Sequence, residues 1–235
     1  MHPAPALVAC SHGTRDSAGR QAIDQLRAAV AALRPELTVV EAYVDVQQPE
    51  LSDVLDAVGP AVVVPVLLSA GYHVHVDVAQ AVVAAGPGAR MGAALGPDQV
   101  LVDVLAQRLG EAAVSAEHAV VMAAAGSSDP RAVTDVEQTA NELSRRIGRP
   151  VLPAFASAAE PRVDRAVAQS RSDGRPVAIA SYLLAPGFFY DQLGAADADV
   201  VTAPLLPHAA IAELVIRRYC EVIESDDRHT TLMGG

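Results

Sequence analysis

The chain has 235 residues, 51% of them hydrophobic and only 3% aromatic, with no tryptophan, so it can bury a large aliphatic core as one large domain or two of ordinary size. A net charge of −11 removes nucleic acid and anionic membrane as main partners, because both need a basic face. Cys10 and Cys220 form no CxxC pair, which excludes a disulfide framework and points to a reducing compartment.

Met1-His2-Pro3-Ala4-Pro5 carries no basic segment followed by a secretory apolar core, and the longest strongly apolar run, 61–70, is too short for a bilayer and is broken by Pro65. A soluble cytoplasmic protein is expected. The first apolar run, Ala6-Leu7-Val8-Ala9-Cys10-Ser11, reads as a buried strand that delivers His12 to the turn Gly13-Thr14-Arg15-Asp16. Ala22, Ile23, Leu26, Ala29, Val30 and Leu33 then recur at helical spacing. His12 therefore sits at the carboxyl end of a strand, the end that faces the ligand crevice in open parallel sheets. Cys10 reads as a small packed core residue.

A second strand over 39–44 ends at Asp45, and Pro49 opens a helical pattern carried by Leu51, Val54, Leu55 and Val58. A third, over 62–68, leads through Gly71 and Tyr72 to His73. In His73-Val74-His75-Val76-Asp77 an extended backbone puts both histidines on one face; a helix separates them and leaves Asp77 favouring the helix start. Glu41 shares the strand parity of Asp45 but lies deeper, so a role at the rim of the site is one alternative for it and no site role the other. Ala93-Ala94-Leu95-Gly96-Pro97 precedes another helix, after which Glu111, Ser115 and Glu117 interrupt the apolar pattern.

The pattern then begins again. Residues 6–16 match 119–129, with Gly13 over Gly126 and Asp16 over Asp129; Tyr43-Val44-Asp45 falls on Phe155-Ala156-Ser157, and Pro49 on Pro161. Gly71 and Tyr72 fall on Gly187 and Phe188, and the segment at 93–97 on that at 203–207, so His208 takes the place of Asp98 as a cap or surface residue. The expected class is α/β, with two similar domains, 1–114 and 115–235, each a mainly parallel sheet flanked by helices, and a ligand cleft between them. The charged stretch from about 225 reads as a flexible tail.

His12, Asp45 and His73 close three successive strands of the first half, and parallel strands bring those ends to one edge. Two imidazoles and a carboxylate form an N/O donor set suited to a divalent first-row metal, with coordination positions left open. The second half has Ala125, Ser157 and Phe189 at these places, losing all three donors while keeping the glycines, prolines and core pattern. A purely fold-stabilising trio would have left some member behind. The alternative for His12 alone is a satisfied core histidine. For the turns 13–16 and 126–129 the alternatives are an anion cradle of backbone N–H groups, with Arg15 as a carboxylate partner, and a simple helix cap. No GxxxxGK[ST] occurs, so an ATP-driven engine of that kind is not indicated.

With Ser11-His12-Gly13-Thr14-Arg15-Asp16, Val44-Asp45 with Gln47-Gln48-Pro49-Glu50, and Val64-Pro65-Val66-Leu67-Leu68-Ser69-Ala70-Gly71-Tyr72-His73 with Asp77, the chain resembles the sirohydrochlorin chelatases, the class II tetrapyrrole metal chelatases, in their long tandem bacterial form. The resemblance implies a class II chelatase fold and makes His12 and His73 the metal-site histidines. It matches Asp45 to a family carboxylate that is commonly Glu, one methylene longer. It implies an ATP-independent enzyme inserting Fe2+ into sirohydrochlorin to make siroheme, or Co2+ on the cobalamin route, with the metal as substrate and no permanently bound cofactor or iron–sulfur cluster. The macrocycle's carboxylates would then meet Gly13, Thr14 and Arg15; Tyr72 and Phe188, matched across the repeat, either flank its ring or pack in the core. A monomer is expected, with a dimer as the alternative. Two rival classes are a carrier that binds metal or tetrapyrrole without chemistry and a histidine phosphatase; the latter needs an arginine before its histidine, where this chain has Ser11.

Overall fold

The structure is a computed structural model that describes residues 4–69, 73–172 and 174–233, with the side chains of 73–75 and 226–233 outside the description. The first half runs β1 (Ala6–Ser11), α1 (Ser17–Leu33), β2 (Val39–Tyr43), α2 (Leu51–Val58) and β3 (Ala61–Pro65). A π-helical segment (His73–Val78) continues into α3 (Ala79–Ala84), followed by β4 (Ala89–Met91) and α4 (Gln99–Glu111). The second half repeats this order with β5 (Ala119–Ala124), α5 (Pro130–Ile147), β6 (Val151–Phe155), α6 (Val163–Arg171), β7 (Val177–Tyr182), α7 (Phe188–Leu193), β8 (Val200–Val201) and α8 (Ala209–Met233).

Each half forms a four-stranded sheet, in the orders β2-β1-β3-β4 and β6-β5-β7-β8, and every pairing is parallel. The two α/β halves expected from the repeat are present. Strand alternation divides the core. Val8, Cys10, Ala61 and Val63 face outward with α2 and α3, whereas Leu7, Val62, Val64 and Val66 face inward. β3 is buried along its whole length, which is why it reads as an unbroken apolar run. Each such valine taken out of water contributes about 1.5–3 kcal/mol. The strand stops at Pro65, shorter than the 62–68 run; the backbone bond from Val66 N–H to Cys10 O continues the approach for one residue, and Leu67 and Leu68 then bend toward the segment at 95–96.

The inner faces meet in one continuous core, and the helices that cover them are exchanged. α4, the last helix of the first half, packs on β7 of the second sheet; α8, the last of the second half, packs on β3 of the first. Two arginines fasten the exchange symmetrically. Arg108 on α4 donates to the carbonyls of Pro204, Leu205 and Pro207 at 3.0, 3.2 and 2.9 Å. Arg218 on α8 donates to those of Ala94 and Leu95 at 3.0 and 3.3 Å and to Asp98 Oδ2 at 2.8 Å. Asp98 also caps α4 through Val100 N–H, as His208 Nδ1 caps α8 through Ala210 N–H. The stretch read as a tail from about 225 continues α8 to Met233, because 224–233 contains no glycine or proline to end it.

Asp98 and Arg218 are 9% and 11% exposed in their side chains, whereas Arg217, also paired with Asp98, is 47% exposed. Arg218→Ala is expected to destabilise the protein by about 2–4 kcal/mol and Arg217→Ala by at most about 1 kcal/mol, measured as urea unfolding midpoints.

Candidate metal site

The ladder between β1 and β2 continues past both strands. Val44 N–H donates to Ser11 O at 2.9 Å and Asp45 N–H to His12 O at 3.2 Å, which sets His12 and Asp45 side by side at the carboxyl edge of the sheet. The chain then turns sharply. Asp45 Oδ1 accepts from Val46 N–H at 2.7 Å, Gln47 N–H closes back on Asp45 O at 2.7 Å, and Val46 takes φ 65°. Gly13 permits this approach: its φ is 93°, and a Cβ there would overlap the Asp45 carbonyl oxygen.

The turn 13–16 is built as a helix cap. Asp16 accepts from Gly19 N–H at 2.8 Å, Thr14 Oγ1 accepts from Asp16 N–H at 3.1 Å, and Thr14 N–H donates to Gln47 Oε1 at 2.8 Å. The amides of Thr14 and Asp16 are thus committed within the loop. An anion at this turn would instead meet the exposed Arg15, whose guanidinium makes no hydrogen bond among the described residues. Arg20 braces the turn through the carbonyls of Thr14 and Arg15. Arg20 does not stand out in the sequence, and Gln47 does so only within the motif at 47–50; that both act on backbone atoms of this loop is not written in its residue types.

The sheet order places β1 between β2 and β3, so His12, Asp45 and His73 follow three adjacent strands around the β1/β3 switch point, the usual crevice in this topology. The backbone of His73 opens the π-helical segment, so the helical alternative for 73–77 is the one adopted. The side chains of His73 and His75, and Tyr72 altogether, lie outside the described residues. Asp77 is half-buried on the same segment. Among the described residues no group of three His, Cys, Asp or Glu could hold a metal; His12 and Asp45 are the two described members of the expected set.

Glu41 is not at the rim. It pairs with Arg27, accepts from Tyr43 Oη at 3.1 Å, and lines a small space of about 10 Å³ with Ser11 on the inner face. Its parity puts it under α1, where a cation was waiting. Cys10 faces the outer core, and burial pushes its thiol up to about 12, so it is inert and turned away from the edge.

The second half repeats this junction without the donors. Ser157 N–H donates to Ala125 O at 2.8 Å, as Asp45 N–H does to His12 O, and Ser157 Oγ folds back on the same carbonyl at 2.8 Å. Gly126 repeats φ 93°, and Ala158, at φ 55°, repeats Val46. The two carboxyl edges approach each other: Pro186 and Gly187 lie against Gly19, Thr14 and Asp16. The next residue, Phe188, is 71% exposed and stands edge-on to Phe189, with ring centroids 5.4 Å apart.

The CbiX family model matches residues 6–112 and, a second time, residues 119–222. The chain belongs to the CbiX family. Solved structures share the fold of this CbiX-family chain. SirB from Bacillus subtilis with Fe3+ is 23% identical at TM-score 0.76, over 92% of this chain and 94% of that one. SirB from Bacillus subtilis subspecies spizizenii in complex with cobalt is 20% identical at TM-score 0.74, over 95% and 97%. CbiX, described as the terminal enzyme for biosynthesis of siroheme in denitrifying bacteria, is 18% identical at TM-score 0.65, over 90% and 98%. No curated protein matches the chain. Among the described residues no helix is long and apolar enough to cross a membrane.

Gly13 and Gly59 both have positive φ, but a Cβ on Gly59 meets nothing within 4 Å. Gly59→Ala is expected to cost about 1 kcal/mol for its backbone alone, and Gly13→Ala at least about 2 kcal/mol more, read from denaturant midpoints.

Proposed function

We propose that the chain is an ATP-independent chelatase that inserts Fe2+ into sirohydrochlorin, forming siroheme and releasing two protons. The observation that carries this reading is the ladder extension that sets His12 beside Asp45 at the sheet edge, next to the strand whose continuation reaches His73. Membership of the CbiX family supports it, as do bound Fe3+ and cobalt in the SirB structures of the same fold.

Insertion exchanges two pyrrole N–H protons for one divalent cation. His12 and His73 supply imidazole nitrogens, which hold a cation or take a proton as the exchange proceeds. Asp45 uses one carboxylate oxygen to fix its own turn through Val46 N–H, leaving the other for the metal or for orienting a histidine. Arg15 meets the macrocycle's carboxylates, and Phe188, exposed on the opposing half, covers a ring face. Tyr72, which lies outside the described residues, is assigned the same role. The second half, lacking donors at Ala125, Ser157 and Phe189, forms the other wall, so one chain suffices for one site. Co2+ fits the same donor set, because selectivity among these ions follows geometry and supply.

The test is anaerobic absorbance monitoring of sirohydrochlorin with Fe2+ and, separately, Co2+. Wild type should accelerate metallation, with Fe2+ the faster; His12→Ala and His73→Ala should each lose about 100-fold or more, and Asp45→Ala about 10–100-fold, with circular dichroism retained. Binding of metal or macrocycle without acceleration would leave a carrier instead, and a faster Co2+ reaction would assign cobalt as the substrate.

A further inference from the structure

The repeat makes each half a control for the other, and the loops after β3 and β7 differ at one hydrogen bond. In the second half that loop is held by two backbone bonds: Leu205 N–H to Leu183 O at 2.9 Å and Leu206 N–H to Leu184 O at 2.8 Å. In the first half the matching amides, Leu95 and Gly96, both turn to Leu67 O, at 3.0 and 3.3 Å. The Leu68 carbonyl, counterpart of Leu184, is instead taken by a side chain from the other half of the chain: Tyr182 Oη donates to it at 2.9 Å.

Two further substitutions accompany this exchange. Register places Val66 where the second half has Tyr182, and Gly96 where it has Leu206. A Cβ on Gly96 would run into both the Leu68 carbonyl oxygen and the Tyr182 hydroxyl, so the phenol and the glycine occur together, as valine and leucine do at the mirrored place. Tyr182 is 1% exposed, and Thr139 Oγ1 lies 3.5 Å from its oxygen. Burial pushes its phenol far above the ordinary tyrosine range, so it keeps its proton and remains a donor.

Leu68 stands five residues before His73, as Leu184 stands five before Phe189. We infer that Tyr182 is a positioning residue: the other half of the chain fixes the Leu68 carbonyl, at the start of the stretch that leads in sequence to His73, and thereby favours metal binding there. This role rests on the chelatase reading above, since it assigns Tyr182 an effect on the metal through His73.

The experiment uses the full chain and Co2+ alone as probe, comparing wild type, His12→Ala, Tyr182→Phe and Ser181→Ala. Tyr182→Phe keeps the ring and its packing and removes only the donor. Ser181 lies next to it on the outer face, bonded to Thr202, with no contact to Leu68; Ser181→Ala is the control for lost stability. Tyr182→Phe should raise the Co2+ dissociation constant about fivefold and alter the visible Co2+ absorption band of the loaded protein. It should also raise KM for the metal more than it lowers kcat in the metallation assay. Ser181→Ala should lower the melting temperature with the Co2+ constant and band unchanged. A Tyr182→Phe protein that melts earlier but binds Co2+ like wild type, with the same band, overturns the positioning role alone. A wild type that binds no Co2+, or a His12→Ala protein that binds it equally well, removes the metal site itself and this role with it.

Discussion

Both sheets present inner faces that are largely apolar, and each is closed in part by a helix belonging to the other half of the chain. α4 lies on β7 and α8 on β3, so neither sheet is covered until both halves are made. This exchange fixes the carboxyl edges opposite one another. The turn after β1 meets Pro186 and Gly187, and the loop after β3 meets Tyr182. A cleft between two separately closed domains would open and shut freely; here its two walls share one core.

Within that frame, fold and chemistry use different residues. Gly13 and Gly126, with Val46 and Ala158, give both halves the same tight approach of neighbouring loops, because the backbone path requires it whether or not a ligand is bound. The proposed donors ride on this shared path. His12 and Asp45 occupy it in one half; in the other, Ala125 and a self-satisfied Ser157 occupy it. The loop geometry therefore does not depend on which side chains it carries, and the metal role proposed for His12 and Asp45 needs no departure from the path that both halves share.

Most of the architecture was readable from spacing. Unbroken valine-rich runs, helical recurrence of Leu and Ala, and the repeat itself define two parallel sheets, since these patterns report burial directly. What escaped was anything decided by which surface meets which. The apolar face carried by Leu101, Val104 and Leu105 marks α4 as buried but does not say that it covers the second sheet. Val66, Leu67 and Leu68 are apolar enough to read as strand, yet the chain leaves the ladder after Pro65. Glu41 has the parity of a rim residue, and only the position of Arg27 on α1 shows that it points beneath the helix. The adjacency of His12 and Asp45 was legible because each follows the end of a strand. Arg20 and Tyr182 were not, because each acts on a backbone carbonyl brought near by the fold, and Gln47 was visible as part of a motif but not its bond to the Thr14 amide.

The most direct measurement is an anomalous-scattering map from crystals of the protein soaked with Co2+. One peak is expected, about 2.0–2.3 Å from ring nitrogens of both His12 and His73, with none at Ala125 or Phe189. Imidazoles of residues 12 and 73 pointing into separate regions, or a peak on neither of them, would contradict it.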